Sequence, residues 1–111
     1  MMTVEPLLRD LITKFNDRVD QDEKLRTELN GMDKKVLIDL ESERYNFQLQ
    51  DAHAVGFQAG EIADPDITLI SDPDTIQGVI EGKVKPMKAF ALRKIRVKGD
   101  INDILKLRKL F

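Results

Sequence analysis

Cysteine and tryptophan are both missing from this chain of 111 residues, which has a single histidine and a single tyrosine. Without cysteine, disulfide bonds and thiolate chemistry are excluded. No apolar run approaches the roughly 18 residues of a membrane-spanning helix, and no signal-like segment precedes the first amphipathic stretch. These absences favour a soluble, cytoplasmic protein. We expect one domain over residues 1–111, long enough to bury about two thirds of the unfolded surface.

Side chains suited to catalysis are equally scarce. Ser42, Ser71 and His53 fall at predicted turns or helix caps, and nothing marks a nucleophile elbow or a nucleophile beside a base. We interpret His53 as an exposed hairpin residue. No glycine-rich phosphate loop is present. The sequence therefore predicts that the protein is not an enzyme and needs no cofactor.

An acidic cluster might be taken for a metal site. Its members are Asp64, Asp66, Asp72 and Asp74. However, Asp64 and Asp66 flank a proline turn, and Asp72 stands where a helix cap is needed. We therefore expect no bound metal.

The charges are divided unevenly along the chain. Residues 1–82 hold 8 Lys and Arg against 18 Asp and Glu, whereas residues 83–111 hold 10 against 2. A basic block of this kind can fold back on the acidic half, meet an anionic membrane, or contact nucleic acid phosphates. Nucleic acid is not expected, because the aromatic residues of the block, Phe90 and Phe111, occupy apolar-stripe positions and are not interleaved with the charges.

Apolar periodicity predicts both helices and strands. Helical spacing is seen in two N-terminal stretches, Val4 to Val19 and a shorter one begun by Asp20 or Asp22. Alternation predicts a three-stranded meander with Val36, Ile38, Leu40, Tyr45, Phe47, Leu49, Val55, Phe57 and Ala59 on its apolar face. Two further strands, 67–70 and 95–98, and helices begun by Asp72, Pro86 and Asp100 complete the pattern. We predict a two-layer α+β fold, with five mainly antiparallel strands and helices covering one face.

One stretch also carries a family resemblance. From Asp64 to Asp100 the sequence runs through a proline turn, a strand, a helix closed by Gly82, a segment KVKPMKAF and a basic strand IRVKGD. This order resembles the sterol carrier protein type 2 family, most clearly over the last 45 residues or so. Arg93 departs from the pattern, since many relatives have glycine there, so the turn into the last strand must be made without glycine's freedom at positive φ.

The resemblance implies an apolar tunnel between sheet and helices, which holds a lipid. Periodicity alone favours an ordinary packed core, which is the default for residues at such spacing. As tunnel lining we predict Phe15, Phe47, Phe57, Met87, Phe90, Ile101, Ile104 and Leu105. Their role would be non-covalent, with each buried CH₂ contributing about 0.8 kcal/mol.

The predicted function is therefore binding and transfer of lipids: fatty acid, fatty acyl thioester, phospholipid or sterol, straight-chain lipids before sterols. The alternative is an accessory module that docks on a partner enzyme without a lipid ligand. We further expect transient contact with an anionic membrane through Lys106, Arg108 and Lys109, which lie opposite an apolar stripe of the last helix. A monomer or weak homodimer is expected.

Overall fold

A computed structural model describes residues 3–107 of the chain. In chain order its elements are α1 (Glu5–Gln21), α2 (Glu23–Leu29), β1 (Lys34–Asp39), β2 (Arg44–Gln50), β3 (His53–Ala59), β4 (Ile67–Ile70), α3 (Pro73–Ile80), α4 (Pro86–Ala91), β5 (Arg96–Lys98) and α5 (Ile101–Leu107). The α+β class and the five strands are as the sequence predicts. The C-terminal residues 108–111 lie outside the described part.

The five strands form one sheet in the order β3-β2-β1-β4-β5. Strands β1, β2 and β3 are an antiparallel meander, and β4 joins β1 in parallel after the crossover that follows β3. Strand β5 then pairs antiparallel with β4. The sheet is thus mixed and mostly antiparallel, which confirms the predicted fold class.

Two rows of apolar side chains cross the helix-covered face of the sheet. Phe47, Val36 and Ile67 occupy neighbouring positions in the first row. The second row is formed by Tyr45, Ile38, Leu69 and Val97. Since successive residues of a strand point to opposite faces, the alternation read from the sequence correctly identifies the core face of β1 and β2. These rows form the floor on which the helices lie.

Strand β3 departs from simple alternation. Its pairing with β2 shifts between Asn46 and Gln48, and Gly56 adopts a φ of +68°. An extra residue at such a bulge reverses the side-chain alternation. Ala54 is consequently buried and Val55 is exposed. The prediction that Val55 faces the core was wrong, because a period of two cannot pass through a bulge.

Helix α1 is fixed to this edge strand by polar contacts. The Asn16 side chain donates to the Ala54 carbonyl at 2.9 Å and accepts from the Ala54 amide at 2.8 Å. These bonds satisfy two main-chain groups at the sheet edge. The inward face of α1 buries Leu8, Ile12, Phe15 and Val19.

His53 provides a second connection between α1 and β3. Its Nε2 lies 2.6 Å from Oδ1 of Asp20, and its Nδ1 lies 2.7 Å from the Asp51 carbonyl oxygen. Both partners are acceptors, so both contacts are hydrogen bonds only when both ring nitrogens carry protons. The hydrogen bond to Asp20, followed by that to Asp51, raises the pKa of His53 above 6.5. His53 is therefore half-buried and paired with Asp20, whereas the sequence indicated an exposed hairpin residue.

We expect the pairing to make stability depend on pH. Because the folded-state pKa of His53 is raised, its contribution is fully present below the unfolded pKa of about 6.5 and is lost as pH rises through the folded pKa. Urea unfolding should show that the free energy of unfolding falls as pH rises through this window. For His53→Gln, the free energy of unfolding should depend less on pH over the same range. NMR titration should give a lower His53 pKa in Asp20→Asn; an unchanged pKa would contradict the pairing.

Side-chain caps begin two helices as the sequence predicts. Asp22 accepts from the Leu25 amide at 3.1 Å at the start of α2, and Asp72 accepts from the Thr75 amide at 2.8 Å at the start of α3. Each carboxylate satisfies an amide that has no partner within its helix. The acidic residue Asp72 is thus explained by helix capping.

Helix α4 packs inward through a small side chain. Ala89 is fully buried, while Met87 is 78% exposed. The helix ends with Arg93 at a φ of +59°, and the Lys94 amide donates to the Ala89 carbonyl at 2.9 Å. Arg93 therefore adopts the left-handed conformation that glycine favours, at a cost of about 1–2 kcal/mol. The Ser71 hydroxyl donates to the Lys94 carbonyl at 2.7 Å and holds this turn on the sheet.

Candidate functional site: an apolar cavity

A cavity of about 810 Å³ lies between the helices and the sheet. Its floor contains members of both apolar rows, and its walls come from α1, α2, α4 and α5. The apolar lining consists of Leu8, Leu11, Ile12, Leu25, Val36, Ile38, Phe47, Ile67, Leu69, Pro86, Met87, Phe90, Val97, Ile104 and Leu105. Sites for small molecules commonly enclose about 300–1,000 Å³ with mostly apolar walls. The cavity has the size and character of such a site.

The cavity opens to solvent beside α4 and α5. Three of its lining side chains are substantially exposed: Met87 at 78%, Leu105 at 50% and Phe90 at 39%. Large side chains of this kind are normally withdrawn from water, so their exposure at one opening marks a surface suited to an apolar partner or ligand. The structure thus describes an open cavity, and the tunnel implied by the family resemblance stays a prediction.

Charged side chains line another part of the cavity, where α1 meets α2. Arg18, Asp22, Lys24 and Glu28 contribute to the lining there. Arg18 lies with its guanidinium carbon 5.9 Å from the centre of the Phe15 ring, and Asp22 is engaged as the cap of α2. The cavity therefore combines an apolar body with a corner able to form ionic or hydrogen-bonded contacts, an arrangement that matches an amphiphilic molecule.

The structure brings five of the eight predicted lining residues to the cavity. These are Phe47 on the floor, Met87 and Phe90 on α4, and Ile104 and Leu105 on α5. The sheet and two helices that are remote from it in sequence thus contribute to one space. Whether these side chains contact a ligand stays a prediction.

The other three predicted residues lie elsewhere. Phe15 is 3% exposed and packs in the hydrophobic core, outside the cavity lining. Phe57 is half-buried and stacks on Tyr45, with ring centres 5.6 Å apart, while Arg9 lies 5.0 Å from its centre. Ile101 is 66% exposed and does not line the cavity. Helical or strand spacing alone could not separate these positions from the lining.

Helix α5 is joined to the sheet by an ion pair. Nζ of Lys34 lies 3.2 Å from Oδ2 of Asp103, and this hydrogen bond and charge raise the pKa of Lys34. The pair fixes the start of the helix that carries Ile104 and Leu105. Of the predicted membrane contacts, Lys106 is exposed, whereas Arg108 and Lys109 lie outside the described residues.

Sequence reasoning missed most of the aliphatic lining. The sequence predicts Val36 and Ile38 on the core face and Leu69 within a strand, but the predicted lining includes only Phe47 and Phe57 from the sheet. The inward alternation of β1 and β4 contained the needed signal. For the charged corner no signal exists in the sequence, since Arg18 and Lys24 resemble ordinary solvent-facing helix residues.

Among residues 3–107, no helix is both long enough and apolar enough to cross a membrane. Over the same residues, no three His, Cys, Asp or Glu side chains are grouped so as to hold a metal ion.

The fold and the cavity define an α+β domain with an apolar cavity between its sheet and its helices. The model of the SCP-2 sterol transfer family matches residues 12–111, so the chain belongs to that family. This confirms the resemblance seen between Asp64 and Asp100 and extends it over most of the N-terminal half. No curated protein sequence matches the chain significantly.

Solved structures with the same fold include both stand-alone proteins and parts of larger ones. Palmitated SCP2L2 from Aedes aegypti has a TM-score of 0.64 and 20% identity, covering 96% of this chain and 91% of that one. The ubiquinone synthesis protein UbiJ-SCP2 has a TM-score of 0.66 and 16% identity, with 93% and 88% coverage. The sec-alkylsulfatase Pisa1 from Pseudomonas sp. has a TM-score of 0.58 and 16% identity; the match covers 77% of this chain and 13% of the sulfatase.

Proposed function

We propose that this protein binds an amphiphilic lipid in the apolar cavity and carries it non-covalently. The observation behind this proposal is the 810 Å³ space between helices and sheet, apolar throughout its body and charged at one corner. Family membership supports it, because the family is described as one of sterol transfer. The palmitated mosquito protein of the same fold supports a fatty acid as one ligand type.

A lipid would gain its affinity from the apolar body of the cavity. Each CH₂ removed from water contributes about 0.8 kcal/mol, and the lining residues Leu69, Met87 and Phe90 would regain contacts that an open cavity denies them. A polar head group would face the corner near Lys24. A straight-chain lipid with one charged head, such as a fatty acid or acyl thioester, fits a cavity with an apolar body and a charged corner. A sterol fits it less well, because its only polar group is an uncharged hydroxyl that cannot form ion pairs at the corner.

The carrier role needs no catalytic group, and we propose that the protein has no enzymatic activity of its own. The alternative is an accessory module for an enzyme. It is favoured by the sulfatase, in which this fold is 13% of a much longer chain. Such a module would use the surface of the sheet or helices for docking and would leave the cavity empty.

Native mass spectrometry of protein purified from cells separates the two functions. For a carrier we expect additional masses of bound lipid, which organic extraction removes. Ile38→Trp should abolish them, because Ile38 lines the cavity and a larger ring fills it. The matched control is Leu37→Trp, the adjacent residue on the opposite face of β1. Empty wild-type protein, unable to take up added fatty acid, would favour the accessory module.

A further inference from the structure

Helix α4 separates the cavity from a second depression. On one side Pro86, Met87 and Phe90 line the cavity. On the other, α4, the loop before it and α3 enclose a groove of about 700 Å³, lined by Asp74, Thr75, Lys83, Val84, Lys85, Lys88, Ala89, Leu92 and Lys94. We call this depression the basic groove. Four of its nine lining residues are lysines, so the short helix has an apolar flank and a cationic flank.

The basic groove belongs to an entirely cationic segment. Residues 83–99 contain seven Lys and Arg and no Asp or Glu. Among the carboxylates that the structure describes, only Glu81 lies within salt-bridge distance of one of the groove lysines, 3.5 Å from Nζ of Lys83. Asp74 lines the groove and offsets part of the charge. The lysines of the basic groove are therefore largely available for an anionic partner.

The outer surface of α4 is apolar between these charges. Met87 is 78% exposed, and Leu92, just after the helix, is 58% exposed. The buried residue of the helix is instead Ala89, while its larger apolar residues Met87 and Phe90 are exposed to solvent at 78% and 39%. Apolar side chains flanked by lysines whose stems can extend to the polar surface are characteristic of segments that lie in a membrane interface.

We propose that α4 and the turn after it form the face on which this protein docks to an anionic phospholipid bilayer. Met87 and Leu92 enter the acyl boundary, and Lys85, Lys88 and Lys94 contact lipid phosphates. This face differs from the basic side of α5. Docking places the cavity mouth, formed by Met87, Phe90 and Leu105, directly against the bilayer. The further consequence, that a lipid exchanges there without crossing water, rests on the proposed carrier function; the docking itself does not.

Cosedimentation with two kinds of vesicle tests the docking. Vesicles of phosphatidylcholine containing one phosphatidylglycerol in three should bind the wild-type protein at low salt, and pure phosphatidylcholine vesicles should not. High salt should release it, because the screening length falls from about 10 Å at 0.1 M to about 3 Å at 1 M. Each lysine near an anionic surface contributes roughly fivefold to binding, so Lys85→Gln with Lys88→Gln should weaken partitioning roughly 30-fold.

Matched variants make the assignment specific to α4. Lys14→Gln with Lys35→Gln removes the same charge from exposed positions on α1 and β1 and should have little effect. Met87→Gln should weaken binding roughly tenfold, whereas Val55→Gln, at an exposed apolar residue on β3, should not. Lys106→Gln measures any share of α5. Thermal unfolding establishes that each variant is folded.

Several results would overturn the proposal. They are an absence of binding to the mixed vesicles at low salt, an equal loss in both double variants, or binding to single-stranded DNA but not to vesicles. Lipid uptake in solution is measured separately with the Lys85→Gln, Lys88→Gln protein, whose changes lie outside the cavity. If docking fails while this protein and the wild type take up lipid, only the docking face is wrong. If the wild type docks but takes up no lipid, the carrier function fails and the docking face stands.

Discussion

Replacing Phe15 by alanine is expected to lower the free energy of unfolding by about 3–5 kcal/mol. Phe15 is 3% exposed and packs in the core beside the other inward residues of α1. Its removal leaves a void that the surrounding core cannot close fully, and total stabilities are only about 5–15 kcal/mol. Urea unfolding with an unchanged dependence on denaturant would measure the loss.

Phe90→Ala provides the comparison within the same residue type. Phe90 borders the cavity and is 39% exposed, so its truncation removes fewer contacts and should cost less than about 2 kcal/mol. We expect this variant to lose lipid affinity. A loss of stability as large as that of Phe15→Ala, with lipid uptake unchanged, would place Phe90 in the packed core and outside the site.

Saturation of the cavity with a lipid is expected to stabilise the protein by about 2.7 kcal/mol at a free concentration 100 times the dissociation constant. For a domain of this size such a change raises the melting temperature by about 10 °C. The physical cause is that ligand binds the folded chain only, since the cavity requires the sheet and helices to be assembled. Delipidated protein should be melted with fatty acid, acyl thioester, phospholipid and sterol in turn.

The two tryptophan variants serve as controls for the melting experiment. Ile38→Trp occupies the cavity and should melt at one temperature with or without lipid. Leu37→Trp, on the opposite face of β1, should keep the shift. If no lipid shifts the melting of the wild type, the cavity is not a lipid site at accessible concentrations, and the accessory-module interpretation gains support.

Local chemistry explains what the sequence predicted well. Asp22 and Asp72 precede helices because their carboxylates satisfy free amides, and the alternation in β1 and β2 follows from the pleat. Each of these features depends on neighbours a few residues away or on a strong two-residue period.

Other features depend on how the elements pack in three dimensions, which the spacing of apolar residues in the sequence does not reveal. The extra residue at Gly56 reverses β3, and one glycine in a strand is too weak a signal to place a bulge. In α4, Ala89 is fully buried whereas the larger Met87 is 78% exposed, which apolar spacing does not predict. The apolar character of a residue indicates that it prefers burial. Which apolar residues are actually buried depends on the space between the packed elements of the fold.

The sequence by itself therefore determined the class of fold, the direction of most strands and the division of the chain into an acidic body and a basic C-terminal block. The tertiary structure alone decided that the helices are separated from the sheet by a cavity, and that a charged corner and an exposed apolar mouth belong to it. The same stripes would produce either a packed core or a binding space, because burial reports only that water is excluded from a side chain. The gap between layers is fixed by how helices, turns and the β3 bulge fit together, and that fit exists only in the assembled fold.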